Sequence, residues 1–211
     1  MKYNSGNFDK YMTMNPLKRK MVSNLNQKIL HLVQNSLVIQ QDANNQSDAV
    51  KILDAGCGEG FISNLIYTNC TNIEITGLEY TEEALRIARK MNPQISFIQG
   101  DIVKMPFVSG AFDIVLCTEV LEHLADPSAA LSELLRVARG PLIITVPHEP
   151  WFRIGNMLVL KNITRLGNPI DHINHWTFKG FKRFLNRHSK ESWRMENSFP
   201  WTVAYCIKGH E

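Results

Sequence analysis

The chain has few cysteines for its 211 residues. Cys57, Cys70, Cys117 and Cys206 are widely separated, and no two form a CxxC pair. This spacing suits reduced thiols in a cytoplasmic protein better than a disulfide framework or a zinc knuckle. No apolar run approaches the roughly 18 to 20 residues that a membrane-spanning helix needs. The opening MKYNSGNFDKYMTMNP has neither an apolar core nor a small-residue cleavage site, so no secretory leader is expected. A dominant charge is also missing, since 23 Lys and Arg against 20 Asp and Glu leave +3. No basic tract interleaved with aromatics stands out either, which makes nucleic acid a poor partner. No internal repeat is visible. What remains, 44% hydrophobic and 20% charged residues, is the composition of an ordinary globular domain.

Short β-branched runs alternate with helical patterns along the middle of the chain. Strands are expected at 50–54, 73–79, 95–98, 112–117 and 141–146, with helices at 60–67, 82–91 and 128–137. Asp126-Pro127 reads as the cap and first turn of the third helix, and Gly140 follows its end. Such alternation implies crossover units and a mostly parallel, open α/β sheet. Before it, 16–40 reads as one long helix with Leu17, Met21, Leu25, Ile29, Leu32 and Val33 near one face. The polar stretch QQDANNQSD that follows is a surface loop. We therefore expect an N-terminal helical cap and loop over 1–49 and the main domain over 50–211. Residues 147–180 carry five His or Trp residues and little regularity, as an insertion over the sheet would. A helix near 178–188 and two closing strands, 193–197 and 202–207, complete the chain.

The strongest local signal is Leu53-Asp54-Ala55-Gly56-Cys57-Gly58-Glu59-Gly60 at the end of the first strand. Alternate glycines let the backbone turn tightly and approach a ligand without Cβ collisions. Placed between strand and helix, they offer N–H groups at the switch point of an α/β sheet. Glu79 ends the next strand, where a carboxylate can accept both hydroxyls of a ribose. A nicotinamide dinucleotide is the competing ligand. Its loop normally reads GxGxxG, whereas this one reads GxGxG behind an acidic Asp54 that suits a cationic group better than a pyrophosphate.

These residues resemble motif I of the class I S-adenosylmethionine (SAM) dependent methyltransferases. Glu79 is similar to their ribose-binding acid, Gly100-Asp101-Ile102 to the pair beside the adenine, and Phe112-Asp113-Ile114-Val115 and 142–146 to their fourth and fifth strands. The resemblance spans roughly residues 50–147. It implies a Rossmann-like, mostly parallel seven-stranded sheet whose last two strands form an antiparallel C-terminal hairpin. It also implies that Asp54, Gly56, Gly58 and Gly60 surround the methionine part of the cofactor, with Glu79, Tyr80, Asp101, Ile102 and Thr118 around the nucleoside and sulfonium. Cys57 reads as a packing residue. A SAM-binding protein without turnover remains a further alternative.

Methyl transfer from a sulfonium is an in-line displacement, so the enzyme mainly positions the acceptor. An oxygen acceptor also needs a general base or a cation that lowers its pKa. Glu119-Val120-Leu121-Glu122-His123 follows the fourth strand; if helical, it places Glu119, Glu122 and His123 on one face and Val120, Leu121 and Leu124 toward the core. With His172, these four are the candidate ligands of a divalent metal. His123, His172 and Glu122 are the candidate catalytic groups. The ExxEH pattern and Asp171-His172 followed by His175-Trp176-Thr177 resemble metal-assisted O-methyltransferases of the ubiquinone pathway and of small-RNA 3′ ends; His148 lies in the same insertion. The Asn-Pro-Pro-Tyr type signature of many amino-directed members is absent, since the stretch reads Cys117-Thr118-Glu119-Val120. We therefore expect a small-molecule hydroxyl as acceptor. The apolar run 151–160, with Arg153, Lys161 and Arg165 nearby, reads as a lid helix that could line the acceptor pocket or touch a membrane surface. The resemblance also implies an N-terminal helix that covers the cofactor, with Tyr3, Tyr11 and Arg19 closing over it; a packed helix with a frayed arm is the alternative.

Overall fold

The computed structural model describes residues 10–43, 48–158 and 172–207. The long N-terminal helix is α1 (Pro16–Ala43), and the sheet begins with β1 (Val50–Ala55). There follow α2 (Phe61–Asn69), β2 (Ile73–Glu79), α3 (Glu82–Met91), β3 (Ser96–Gln99) and β4 (Ile114–Thr118). A 3₁₀ turn at Leu121–His123 leads to α4 (Pro127–Val137) and β5 (Leu142–Pro147). The chain then forms α5 (Trp151–Leu158), α6 (Phe178–His188), β6 (Arg194–Ser198) and β7 (Trp201–Cys206).

The strands form one seven-stranded sheet in the order β3-β2-β1-β4-β5-β7-β6. The first five run parallel, and β7 pairs antiparallel with both β5 and β6. This is the open sheet and C-terminal hairpin expected from the alternation and the resemblance. β5 is buried along its whole length, as a strand covered on both faces must be, whereas the edge strand β6 is mostly polar and exposed.

Each helix carries local reasons for its limits. Asp126 accepts from the Ser128 hydroxyl and from the Ser128 and Ala129 N–H groups ahead of Pro127 at the start of α4, and these bonds, the hydroxyl's first, hold its carboxyl below the ordinary range. In α3, Glu82 and Glu83 occupy the first turn and Arg89 and Lys90 the last, matching the helix dipole. Thr177 caps α6 through its hydroxyl oxygen, which accepts from the Gly180 N–H at 3.1 Å.

One face of the sheet packs on α4 and α6 through Leu131, Leu134, Phe181 and Leu185. The other packs on α1, α2 and α3 through Leu25, Ile29, Ile66 and Leu85. Leu17 corrects the expected stripe of α1: it is 66% exposed, because the helix packs on the core only from Met21 onward. Buried Asp113 ties the start of β4 to its neighbours, accepting from the Lys51 N–H at 2.9 Å and from Arg139 at 2.5 Å. Among the described residues no helix is long and apolar enough to cross a membrane.

Candidate active site

The strand order reverses at β1, which pairs with β2 on one side and β4 on the other. Parted helix connections leave a crevice there, beyond the carboxyl ends of the strands. Asp54 sits at that point, in register with Gly77 and Leu116. Its side chain is fully buried. Ser63 Oγ, from the first turn of α2, donates to Oδ2 at 2.6 Å, while Oδ1 meets no hydrogen-bond donor among the described residues. Burial pushes the carboxyl up to about 6, the Ser63 bond opposes that shift, and the nearby Glu79 charge adds to it.

Gly56, Gly58 and Gly60 carry φ of 79°, 54° and 79°. At Gly56 the requirement is doubled, since a Cβ would also collide with the Val120 side chain. The loop is tied to β2: Gly56 and Cys57 N–H groups donate to Leu78 O at 2.7 and 3.0 Å. Gly58 N–H donates to Glu79 Oε2 at 3.1 Å, and Thr81 donates twice to Oε1. The half-buried Glu79 carboxylate is thereby fixed at the mouth of the crevice. Asp101 is exposed and accepts from Val103 N–H at 3.0 Å, Ile102 is buried, and Tyr80 is largely exposed. Thr118 stands half-buried at the end of β4, in register with Thr145. Cys57 is a buried thiol pushed well up by burial, packed with Ile62 and Phe97.

On the acceptor side the expected helix is not there. Glu119 has φ 57° and its N–H donates to Thr145 O at 3.0 Å, so the chain turns away before a helix can start. Only the three-residue 3₁₀ turn follows, and Glu119 points to Lys10, with which it forms an ion pair. The shared face of Glu119, Glu122 and His123 is therefore corrected, and Glu119 leaves the ligand set. Ligand atoms of Glu122, His123 and His172 lie within 4.8 Å of one another. Glu122 is buried, and the two imidazoles meet edge-on at 4.9 Å.

His172 arrives across about fifty residues of chain through backbone pairing. Ile173 and Asn174 N–H groups donate to Glu122 O at 2.8 and 2.9 Å. The Asn174 amide donates to Leu121 O and Leu124 O at 3.0 and 2.7 Å. Of the other histidines near the insertion, His148 packs against Phe178 and His175 faces Glu149 at 3.7 Å. Burial raises the Glu149 carboxyl, and the His175 charge opposes that rise.

Sequence reasoning did not find Lys10, Asn174 or Ser63. Their roles depend on distant partners, and no local pattern marks them. Lys10 is nearly buried; its ammonium lies 5.0 Å from the Tyr11 ring and 5.1 Å from Trp201. Tyr11 stacks on Phe61 at 4.4 Å and closes over the start of α2. Arg19 is exposed. Thr145 Oγ1 and Trp201 Nε1, near the same carboxyl edge, are buried with no hydrogen-bond partner among the described residues. Tyr3, Lys161, Arg165 and Asp171 lie outside the described residues.

Residues 46–169 match the family described as a methyltransferase domain. The chain belongs to that family, and its sheet is that of the class I, SAM-dependent members. It is similar to a probable S-adenosylmethionine-dependent methyltransferase of Mycobacterium tuberculosis, 30% identical over 120 residues, or 56% of this chain and 43% of that one. It is also 35% identical over 104 residues to ajmaline N-methyltransferase of Rauvolfia serpentina, covering 46% of this chain and 35% of that one. The chain thus spans less than half the length of these curated relatives. Among solved structures, the methyltransferase domain of bacterial CtHen1-C superposes with a TM-score of 0.68 at 18% identity, covering 90% of this chain and all of that one. That likeness establishes the fold.

Proposed function

We propose that the protein transfers a methyl group from SAM to a hydroxyl of a small-molecule acceptor. The observation that carries the reading is Asp54, a buried carboxylate beside a left-handed glycine loop, whose Oδ1 meets no donor among the described residues. A ligand with a cationic amino group and hydrogen-bonding edges answers both features, and fixed Glu79 is placed for the paired hydroxyls of a ribose. Bound there, SAM supplies an electrophilic methyl on a sulfonium.

The chain's own part is positioning and proton transfer. Tyr80, Asp101, Ile102 and Thr118 are proposed to flank the nucleoside and sulfonium. Thr145 Oγ1 and Trp201 Nε1 offer hydrogen bonds to an acceptor oxygen. His123 and His172 are close enough together for one to accept the hydroxyl proton while the other, beside Glu122, holds its orientation.

A second reading rests on the same cluster. One carboxylate and two imidazoles within 4.8 Å form a three-ligand set that suits a divalent ion. A metal held by Glu122, His123 and His172 would lower the pKa of a coordinated hydroxyl.

Calorimetric titration separates the two. Chelator-stripped protein saturated with S-adenosylhomocysteine is titrated with Mg²⁺, Mn²⁺ and Zn²⁺ beside Glu122→Gln and His172→Ala variants. Binding in the parent that both variants lose establishes the metal reading. Silence with all three ions leaves the imidazole base. Absence of S-adenosylhomocysteine binding in the first step would reject the cofactor assignment itself.

A further inference from the structure

Glu149 is a buried acid that the proposed reaction does not use. It follows β5 at the carboxyl edge of the sheet and is only 7% exposed, and neither carboxyl oxygen has a hydrogen-bond partner among the described residues. A buried carboxylate in that state is costly unless a cation answers it. The charged groups that bear on it come from two elements. His175 Nδ1, in the segment 172–177, lies 3.7 Å from Oε1. Arg153, in the first turn of α5, favours the ionised carboxyl through its backbone N–H and its charge.

The same two elements frame His172. The segment 172–177 carries it, and α5 stacks the Phe152 ring on its imidazole at 5.5 Å. Backbone bonds hold the segment at both ends: Ile173 and Asn174 at the 3₁₀ turn, and Trp176 at the end of β5, where its carbonyl accepts from Glu149 N–H at 2.9 Å. The Glu149 carboxyl stands where a side chain of the segment meets the first turn of α5. We propose that Glu149 and His175 are positioning residues of the acceptor side, whose ion pair locks α5 to the segment and so holds the Phe152 ring against the His172 imidazole. An apolar side chain would fill the place of Glu149 at less cost, so the acid serves orientation and not stability. The inference rests on the reading in which His172 takes part in methyl transfer.

Nuclear magnetic resonance of the full chain tests it through the Overhauser contact between the Phe152 ring protons and the His172 imidazole protons. In the parent the contact is expected at about pH 6 and is lost on raising the pH to about 8.5, where an imidazole is neutral. Glu149→Gln and His175→Gln are each expected to lose the contact at both pH values while keeping the parent's circular dichroism. His175→Lys retains a cation and is expected to keep the contact at both, a rescue that a merely space-filling imidazole would not give. His175 is one-third exposed, so its two variants carry the test even if Glu149→Gln fails to fold. A parental contact that is absent, or that ignores pH, overturns the proposal. So does a contact that persists in either Gln variant, or one that His175→Lys fails to keep. Calorimetric titration of the same samples with S-adenosylhomocysteine tests the cofactor assignment separately, since the contact is measured without ligand.

Discussion

At Asp54 the proposed cofactor site and the stability of the fold pull in opposite directions. The carboxyl is raised to about 6, chiefly by burial, against about 3.9 in an unfolded chain. Between roughly pH 4 and 6 the native state therefore keeps a proton that the unfolded chain has released, so stability falls as pH rises through that window. Above it the cost is complete, on the order of 2 to 3 kcal/mol. Asp54→Asn keeps an acceptor for Ser63 and removes the buried charge. The variant is expected to melt higher than the ligand-free parent at pH 8, with little difference near pH 4, while its affinity for SAM falls at least tenfold. Thermal melts at both pH values and calorimetry check this; a lower melting point at pH 8 would mean that protein groups already satisfy the charge.

At the scale of elements, the segment leading into α1 is fastened to the end of β4 by one ion pair. Burial alone would depress the Lys10 ammonium, but the charge of Glu119, then that of Tyr11 and the hydrogen bond to Glu119, outweigh it and hold it above the ordinary lysine value. Tyr11 is pushed up to about 12, mainly by burial. A buried pair is worth little net, yet removing one partner strands the other charge, at about 3 kcal/mol or more. Glu119→Gln is therefore expected to destabilise the protein by about that amount and to speed hydrogen exchange around residues 10–15. Lys10→Met combined with Glu119→Gln should recover most of the loss. A urea-unfolding double-mutant cycle measures the coupling, and additive single effects would show that the pair is not the fastening.

At the scale of the molecule, the proposed site lies where two sheet halves, the N-terminal segment and the irregular segment 172–174 converge. A ligand that binds the folded site and not the unfolded chain stabilises all of them together. S-adenosylhomocysteine at about a hundred times its dissociation constant adds about 2.7 kcal/mol. For a chain of this size that corresponds to a rise in melting temperature of roughly 5 to 10 °C. Differential scanning fluorimetry across a ligand series reads it directly. NADH should produce no such rise, and the reverse pattern would favour the dinucleotide reading.

The sequence by itself determined the features that are written in adjacent residues. Buried parallel strands need β-branched runs, crossover helices need caps such as Asp126-Pro127, and a left-handed loop needs glycine at Gly56 and Gly60; hence the α/β sheet, the glycine turn after β1 and the places of Asp54 and Glu79 at the ends of β1 and β2 were legible. The stripe of α1 was legible from Leu25 to Val33 but not at Leu17, because periodicity shows which face is apolar and not where the partner sheet stops. Tertiary structure decided the acceptor side. The helical spacing of Glu119, Glu122 and His123 was overridden by the bond from Glu119 N–H to Thr145 O, a strand-end contact outside any local window. His172 reached Glu122 through Asn174, some fifty residues from Leu121 and Leu124. Lys10 reached Glu119 across 109 residues. Hydrogen bonds and ion pairs between distant segments leave no period in the sequence, so packing alone could assign these partners.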